Sequence, residues 1–227
     1  MEQLIKLDNN LWVAESSFKL IGINLGNRMT IVRLSNGELF LHSPLAFQSA
    51  LNEEINQLGK IRYLIAPNLA HNLFINDWKQ ANPDALVLAP KCIKKAIPDQ
   101  RLETLSQTDI PSIWGQDISL VYVWGMPLLQ EYVFIHHPSK TLILTDIAFN
   151  VHSVDSSWEK LAFKLYGAYG KFSPTWLIKK IIKNRAEFDK SIQEILQHDF
   201  DRIIVSHGEV VPANAKTLFE LTFVQNL

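Results

Sequence analysis

Apolar and polar positions sort the chain into strands first and helices second. The run LWVAE (11–15), four apolar residues closed by an acid, reads as a strand. RMTIVRL (28–34) and ELFLHS (38–43) flank Ser35-Asn36-Gly37, and Asn-Gly between two such runs predicts a hairpin because both residues tolerate positive φ. After Pro44 the period changes. Phe47, Leu51, Ile55 and Leu58 fall on one helical face, and Gly59 is a suitable stop. IRYLIA, LFINDWKQAN and DALVLAP then read as strand, helix, strand.

Three more strand-like runs follow, DISLVYVW, EYVFIHH and TLILTDI, the last two joined by the polar turn His137-Pro138-Ser139-Lys140. His136 and His137, beside that turn, are expected to face solvent. From Ser157 to about His198 the pattern is helical; DRIIVSH reads as a last buried strand before a final helix. This order suggests crossover units in a mixed α/β sheet. It permits a two-sheet sandwich flanked by helices and equally a doubly wound sheet.

Bulk properties narrow the class. At 227 residues and 47% hydrophobic composition the chain buries one substantial core or at most two small ones. Pro and Gly are scattered without a linker, so residues 1–227 are expected to form a single domain. A net charge of -1 gives no electrostatic case for nucleic acid, and the lysines of LIKKIIKNRAEF read as the solvated face of a helix. Cys92 is the only cysteine, which excludes an intramolecular disulfide and a thiolate zinc cage. The N-terminus MEQLIKLDNNLW does not read as a signal peptide, and no apolar run approaches the roughly 18 residues of a membrane span. A cytoplasmic protein with no membrane span is the expectation.

Candidate chemistry gathers at LIAPNLAHNLF (64–74), where a strand-like run ends at Ala66-Pro67-Asn68 and one histidine, His71, follows. With RMTIVRLSNGELFLHSPL, ALVLAP, EYVFIHHPSKTLILTDIAF and DFDRIIVSHGE in this order, the chain resembles the metallo-β-lactamase superfamily over nearly its whole length. More narrowly, it is similar to an uncharacterised branch that carries a domain-of-unknown-function label. The resemblance implies an α/β (α+β) fold, the metallo-β-lactamase-like αββα sandwich of two mixed β-sheets flanked by helices. Active members carry H-x-H-x-D-H at the corner; here those six positions are Ala66, Pro67, Asn68, Leu69, Ala70 and His71. A further family histidine should fall near Gly125-Met126-Pro127, where none stands. The bridging aspartate has its equivalent in Asp146 and the final histidine in His207, whereas His42 replaces an aspartate that ends an early strand beneath the site.

By that resemblance the three-histidine metal site is lost, since alanine offers no donor atom and a thioether is a soft ligand. Of the second site His71, Asp146 and His207 remain, and the aspartate is lost at Ala70. Two histidines and a carboxylate with an open position is the ligand count of known catalytic zinc sites. The implied alternatives are one zinc, manganese or iron ion held by His71, Asp146 and His207, or no metal and a hydrogen-bonded network. An active protein would be a mononuclear hydrolase of an ester-, thioester- or amide-like bond, with Asp146 and His207 catalytic; the alternative is a non-catalytic relative whose cleft binds a small molecule or a protein partner. His152 and Glu209 are substitute ligands to consider. Asn68, with a donor and an acceptor, could floor a pocket, and His42 joins it among the ligand-binding candidates.

The insertion around 157–198 is aromatic-rich, with Trp158, Phe163, Tyr166, Tyr169, Phe172 and Trp176. Its plain reading is a helical hairpin packed on the sheet. The functional reading makes Trp158, Tyr166 and Tyr169 a wall over a small molecule in the cleft between the sheets.

Overall fold

The computed structural model describes residues 3–95, 102–106, 114–225 and 227. The chain opens with β1 (Leu4–Asp8), β2 (Leu11–Ser16), the short hairpin β3 (Lys19–Leu20) and β4 (Ile23–Asn24), β5 (Asn27–Arg33) and β6 (Glu38–His42). It continues through α1 (Ser49–Asn56), β7 (Lys60–Ile65), α2 (Ile75–Ala81), β8 (Leu86–Ala89) and β9 (Leu102–Thr104). The second half carries β10 (Ile118–Tyr122), β11 (Tyr132–His136), β12 (Thr141–Ile143), β13 (Phe149–Asn150), α3 (Ser157–Tyr166), β14 (Phe172–Ser173), α4 (Trp176–Ile181), α5 (Arg185–Gln197), β15 (Arg202–Ile204) and α6 (Ala215–Glu220).

Two mixed sheets result. The larger has the order β1-β2-β5-β6-β7-β8-β9, antiparallel as far as β6 and parallel beyond it. The smaller has the order β10-β11-β12-β15, with β15 parallel to β12. Period-two alternation gives each strand two faces, and the cores follow that division. Val13, Phe40, Tyr63 and Ile65 of the larger sheet meet Leu120, Phe134, Ile143 and Ile204 of the smaller. On the outer face of the larger sheet, Leu39, Leu41, Ile61 and Leu64 pack with Leu51 and Ile55 of α1 and Trp78 of α2. On the outer face of the smaller, Val133, Ile135, Leu142 and Ile203 pack with Phe188, Ile192 and Ile195 of α5 and Phe219 of α6. The layers are therefore helix, sheet, sheet, helix: the αββα sandwich.

The structure refines three expectations. Helix α2 starts only at Ile75, because Asn68 ties residues 68–71 into a turn. The stretch 157–198 is three helices interrupted by β14, since Gly167, at φ +75, ends α3 and Thr175 caps α4. His136 is buried rather than solvent-facing: its Nδ1 pairs with Ser139 Oγ at 2.6 Å, and burial pushes it down to about 4.

Candidate metal centre

Strand register brings the first two groups together. In the parallel pair β12–β15, Thr141 lies beside Arg202 and Ile143 beside Ile204. The same offset carried three residues past the strand ends sets Asp146 level with His207. His207 Nε2 lies 3.2 Å from Asp146 Oδ1. His71 arrives from the turn after β7, with Nε2 3.3 Å from Asp146 Oδ2. The three ligand atoms all fall within 4.8 Å of one another, and no other such group occurs among the described residues.

Each imidazole is oriented from behind. His71 Nδ1 pairs with Ser43 Oγ at 2.7 Å, and Ser43, at φ 54, lies directly after β6. His207 Nδ1 is 2.9 Å from the Gly26 carbonyl oxygen. A carbonyl only accepts, so Nδ1 carries the hydrogen. In the neutral ring Nε2 then points a lone pair at an Asp146 oxygen, acceptor against acceptor. A second proton or a cation between the two resolves that conflict.

Asp146 is held by a layer the sequence reading missed. The fully buried Glu131 accepts from the backbone N–H groups of Thr145 at 2.8 Å, Asp146 at 2.9 Å and Ile147 at 3.2 Å. Asn68 Nδ2 donates toward Asp146 Oδ2 at 2.7 Å, Thr145 Oγ1 at 2.8 Å and Glu131 Oε2 at 3.2 Å. Its Oδ1 accepts from the Ala70 and His71 N–H groups. Asn68 thus faces inward with both ends committed. It positions His71 and Asp146 instead of offering itself to a pocket.

Burial alone would raise the Asp146 carboxyl, but His71 and His207 override it and hold it well below the usual carboxylate range. Burial and the Asp146 charge push Glu131 up to about 7, against the N–H groups that favour its ionised form. The one trace of Glu131 in the sequence is an acid at the mouth of an apolar strand run.

A metal ion fits this donor set. Two imidazoles and a carboxylate are the donor types of mononuclear sites whose neighbouring ligand atoms lie roughly 3.3–3.4 Å apart; here the 3.2 and 3.3 Å contacts run to different oxygens of Asp146, and the three ligand atoms gather within 4.8 Å. Nδ1 contacts behind both rings are the usual accompaniment of metal-ligating histidine. Ala66 is buried in the core beneath the larger sheet's helices, and Met126 in the core beneath α5, so neither equivalent of the lost site offers a ligand.

The cluster floors a cavity of about 150 Å³ walled by Phe18, Leu20, Leu25, Pro44, Leu73 and Phe74. Asn27 reaches the same cavity. Its Oδ1 accepts from the Arg28 N–H, and its Nδ2 has no hydrogen-bond partner among the described residues. A larger cavity of about 490 Å³ lies next door, lined by Glu15, Arg28, Asp155, Glu159 and Glu209 among others. It contains none of the three clustered groups, so the smaller cavity is the one with chemistry at its floor. His152 and Glu209 line the larger cavity and are bonded to Asn150 and Ser153. His42 is buried with both ring nitrogens unpartnered among the described residues, and Trp158, Tyr166 and Tyr169 line neither cavity.

Solved structures with this fold are numerous. A metallo-β-lactamase from Pontibacter korlensis aligns with a TM-score of 0.67 at 13% identity, covering 100% of both chains. A protein described as diflavin flavoprotein A 5, a fragment from Nostoc sp. PCC 7120, aligns at 0.66 and 13% identity over 96% of this chain and 92% of its own. A metallo-β-lactamase from Hirschia baltica gives 0.60 at 12% identity over 96% and 97%. At such identities the likeness is one of fold, and the fold is that of the metallo-β-lactamases. No curated protein sequence matches the chain. Residues 8–165 match the family model described as Domain of unknown function (DUF4336), a span that holds His71 and Asp146 but stops short of His207. That span is well over half of the sequence, and the chain belongs to the DUF4336 family.

Proposed function

We propose that this protein is a divergent metal-dependent hydrolase with one zinc, manganese or iron ion held by His71, Asp146 and His207, acting on a small, uncharged ester-, thioester- or amide-like substrate. The observation that carries the reading is His207, whose Nδ1 is committed to the Gly26 carbonyl while Nε2 aims at Asp146. A cation there supplies Lewis acidity, which polarises a carbonyl and acidifies water toward a pKa of about 7.

The chain's own residues supply the rest. Ser43 and Gly26 orient the imidazoles. Glu131 and Asn68 fix the loop that carries Asp146. Asn27 Nδ2 is the free donor for a substrate carbonyl oxygen, a contact that stabilises charge developing on that oxygen. The apolar walls take an acyl group and exclude water. Among the described residues neither lysine nor arginine lines the cavity, so the lining favours a substrate without a carboxylate or phosphate.

The test is elemental analysis after dialysis against zinc, manganese and iron. Stoichiometry near one per chain, abolished in His207→Ala, supports the reading; background metal in every case removes it. One observation favours a second reading. The 3.2 Å contact between His207 Nε2 and Asp146 Oδ1 also fits an imidazole–carboxylate pair with no metal between them, leaving a non-catalytic cleft that binds a small molecule. Background metal together with ligand-induced thermal shifts would select it.

A further inference from the structure

Helix α3 buries Ala162 and Phe163 against the β3–β4 hairpin and β13, and Glu159 turns inward to accept from the Asn24 N–H. Its other side is unusual. Trp158, Leu161 and Leu165, at i, i+3 and i+7, form an apolar stripe pointing away from the protein and are 60%, 49% and 70% exposed. Trp176 and Leu177 of α4 are exposed as well, and Tyr166 stacks on Trp176 with centroids 6.1 Å apart and planes 6° apart, joining the two helices. At the root of α3 the hairpin tip adds the exposed Leu20 and Ile21.

Charge is concentrated on the same segment. Between residues 156 and 183 there are six lysines and a single acid, Glu159, in a chain whose net charge is -1. That acid is already engaged by Asn24 and Ser156. Lys160 and Lys164 lie along one side of the stripe on α3, their Nζ atoms 5.3 and 6.0 Å from the Tyr169 ring centre, and Lys179 and Lys180 lie on α4, with Lys180 Nζ 4.6 Å from the Trp176 ring centre.

We propose that the α3–α4 face docks on an anionic lipid bilayer, with Trp158, Leu161, Leu165, Trp176 and Leu177 entering the headgroup boundary and the lysines meeting lipid phosphates. Tryptophan and leucine beside lysine is the composition that binds such interfaces. Charge complementarity selects the occupant, since a second copy on this face would set lysine against lysine. No helix among the described residues is long and apolar enough to cross a membrane, so the contact is with the surface. The inference is independent of the metal centre.

The test is co-sedimentation of the full chain with vesicles of phosphatidylcholine alone and of phosphatidylcholine with phosphatidylglycerol, at low and high salt. At about 1 kcal/mol per surface lysine, or roughly fivefold each, partition onto the anionic vesicles should be at least about tenfold stronger at low salt. It should weaken with salt, and the tryptophan emission should shift to the blue. The triple variant Trp158→Ser, Leu161→Ser, Leu165→Ser changes only exposed side chains and should abolish binding with the far-ultraviolet circular dichroism unchanged. Lys160→Gln, Lys164→Gln, Lys179→Gln and Lys180→Gln together should erase the preference for anionic lipid. Absent or lipid-indifferent sedimentation, or a triple variant that binds like wild type, overturns the proposal. So does a concentration-dependent dimer, or a complex with an acidic protein, that the triple variant alone dissolves.

Discussion

His42 offers a sharp test of the energetics beneath the site. The ring is buried at the end of β6, edge-on to Phe134 at 5.2 Å between centroids, and neither nitrogen has a partner among the described residues. Burial, with a smaller push from His71, drives it down to about 3. His42→Leu, a close match in volume, removes two stranded polar atoms. An unsatisfied buried polar group costs about 1–3 kcal/mol, so the variant should gain roughly 2 kcal/mol at pH 7.5. Acid should widen the gap. Below about 6.5 the unfolded chain protonates this histidine and the folded protein does not until about 3. The unfolded state therefore binds more protons in that window, and wild-type stability falls with falling pH by about 1.4 kcal/mol per unit from this residue alone. The advantage of leucine at pH 5 should thus approach about 4 kcal/mol. Urea unfolding at pH 5, 6 and 7.5, followed by tryptophan fluorescence and circular dichroism with a shared m-value, measures it. A pH-independent difference, or a destabilised variant, would refute the account.

Other substitutions probe the supports of Asp146 and His207. Glu131→Ala strips the acceptor from three buried N–H groups and should cost about 3–5 kcal/mol; a midpoint change worth less than about 1 kcal/mol would show that water replaces the carboxylate. Gly208 has φ +98, and a Cβ there would run into the Asn150 carbonyl, so Gly208→Ala should lose about 3 kcal/mol or more and be visible as a lowered Tm. Ser43→Ala removes the partner of His71 Nδ1; bound metal, read by competition with a chromophoric chelator, should weaken about 10–100-fold while stability drops only about 1 kcal/mol.

Local signals were legible and remote ones were not. The Asn36-Gly37 turn joins β5 to β6, with Gly37 at φ +84 as the hairpin requires. Leu51 and Ile55 bury one face of α1, as their spacing predicts. His71, Asp146 and His207 converge, an arrangement carried by the family resemblance, since no local pattern links residues so distant in sequence. Glu131 stayed hidden because its partners are contiguous N–H groups of a loop more than a dozen residues away, and backbone donors leave no mark in the sequence. The role of Asn68 reversed for a similar reason. Its amide suits a ligand or a turn equally well, and only Ala70, His71, Asp146 and Glu131 around it decide. His136 looked solvent-facing from its turn, but its strand alternation outweighs that proximity.

The pairing of β12 with β15 sets a limit on how the protein can be cut. Residues 166–227 contribute the fourth strand of the smaller sheet and both helices that roof it. A recombinant fragment trimmed to the family signature at 8–165 would bare β12 along its whole edge and strip the cover from Val133, Ile135 and Leu142. An unpaired apolar edge of that kind templates aggregation. The signature marks ancestry, and a foldable product needs the strand that brings His207.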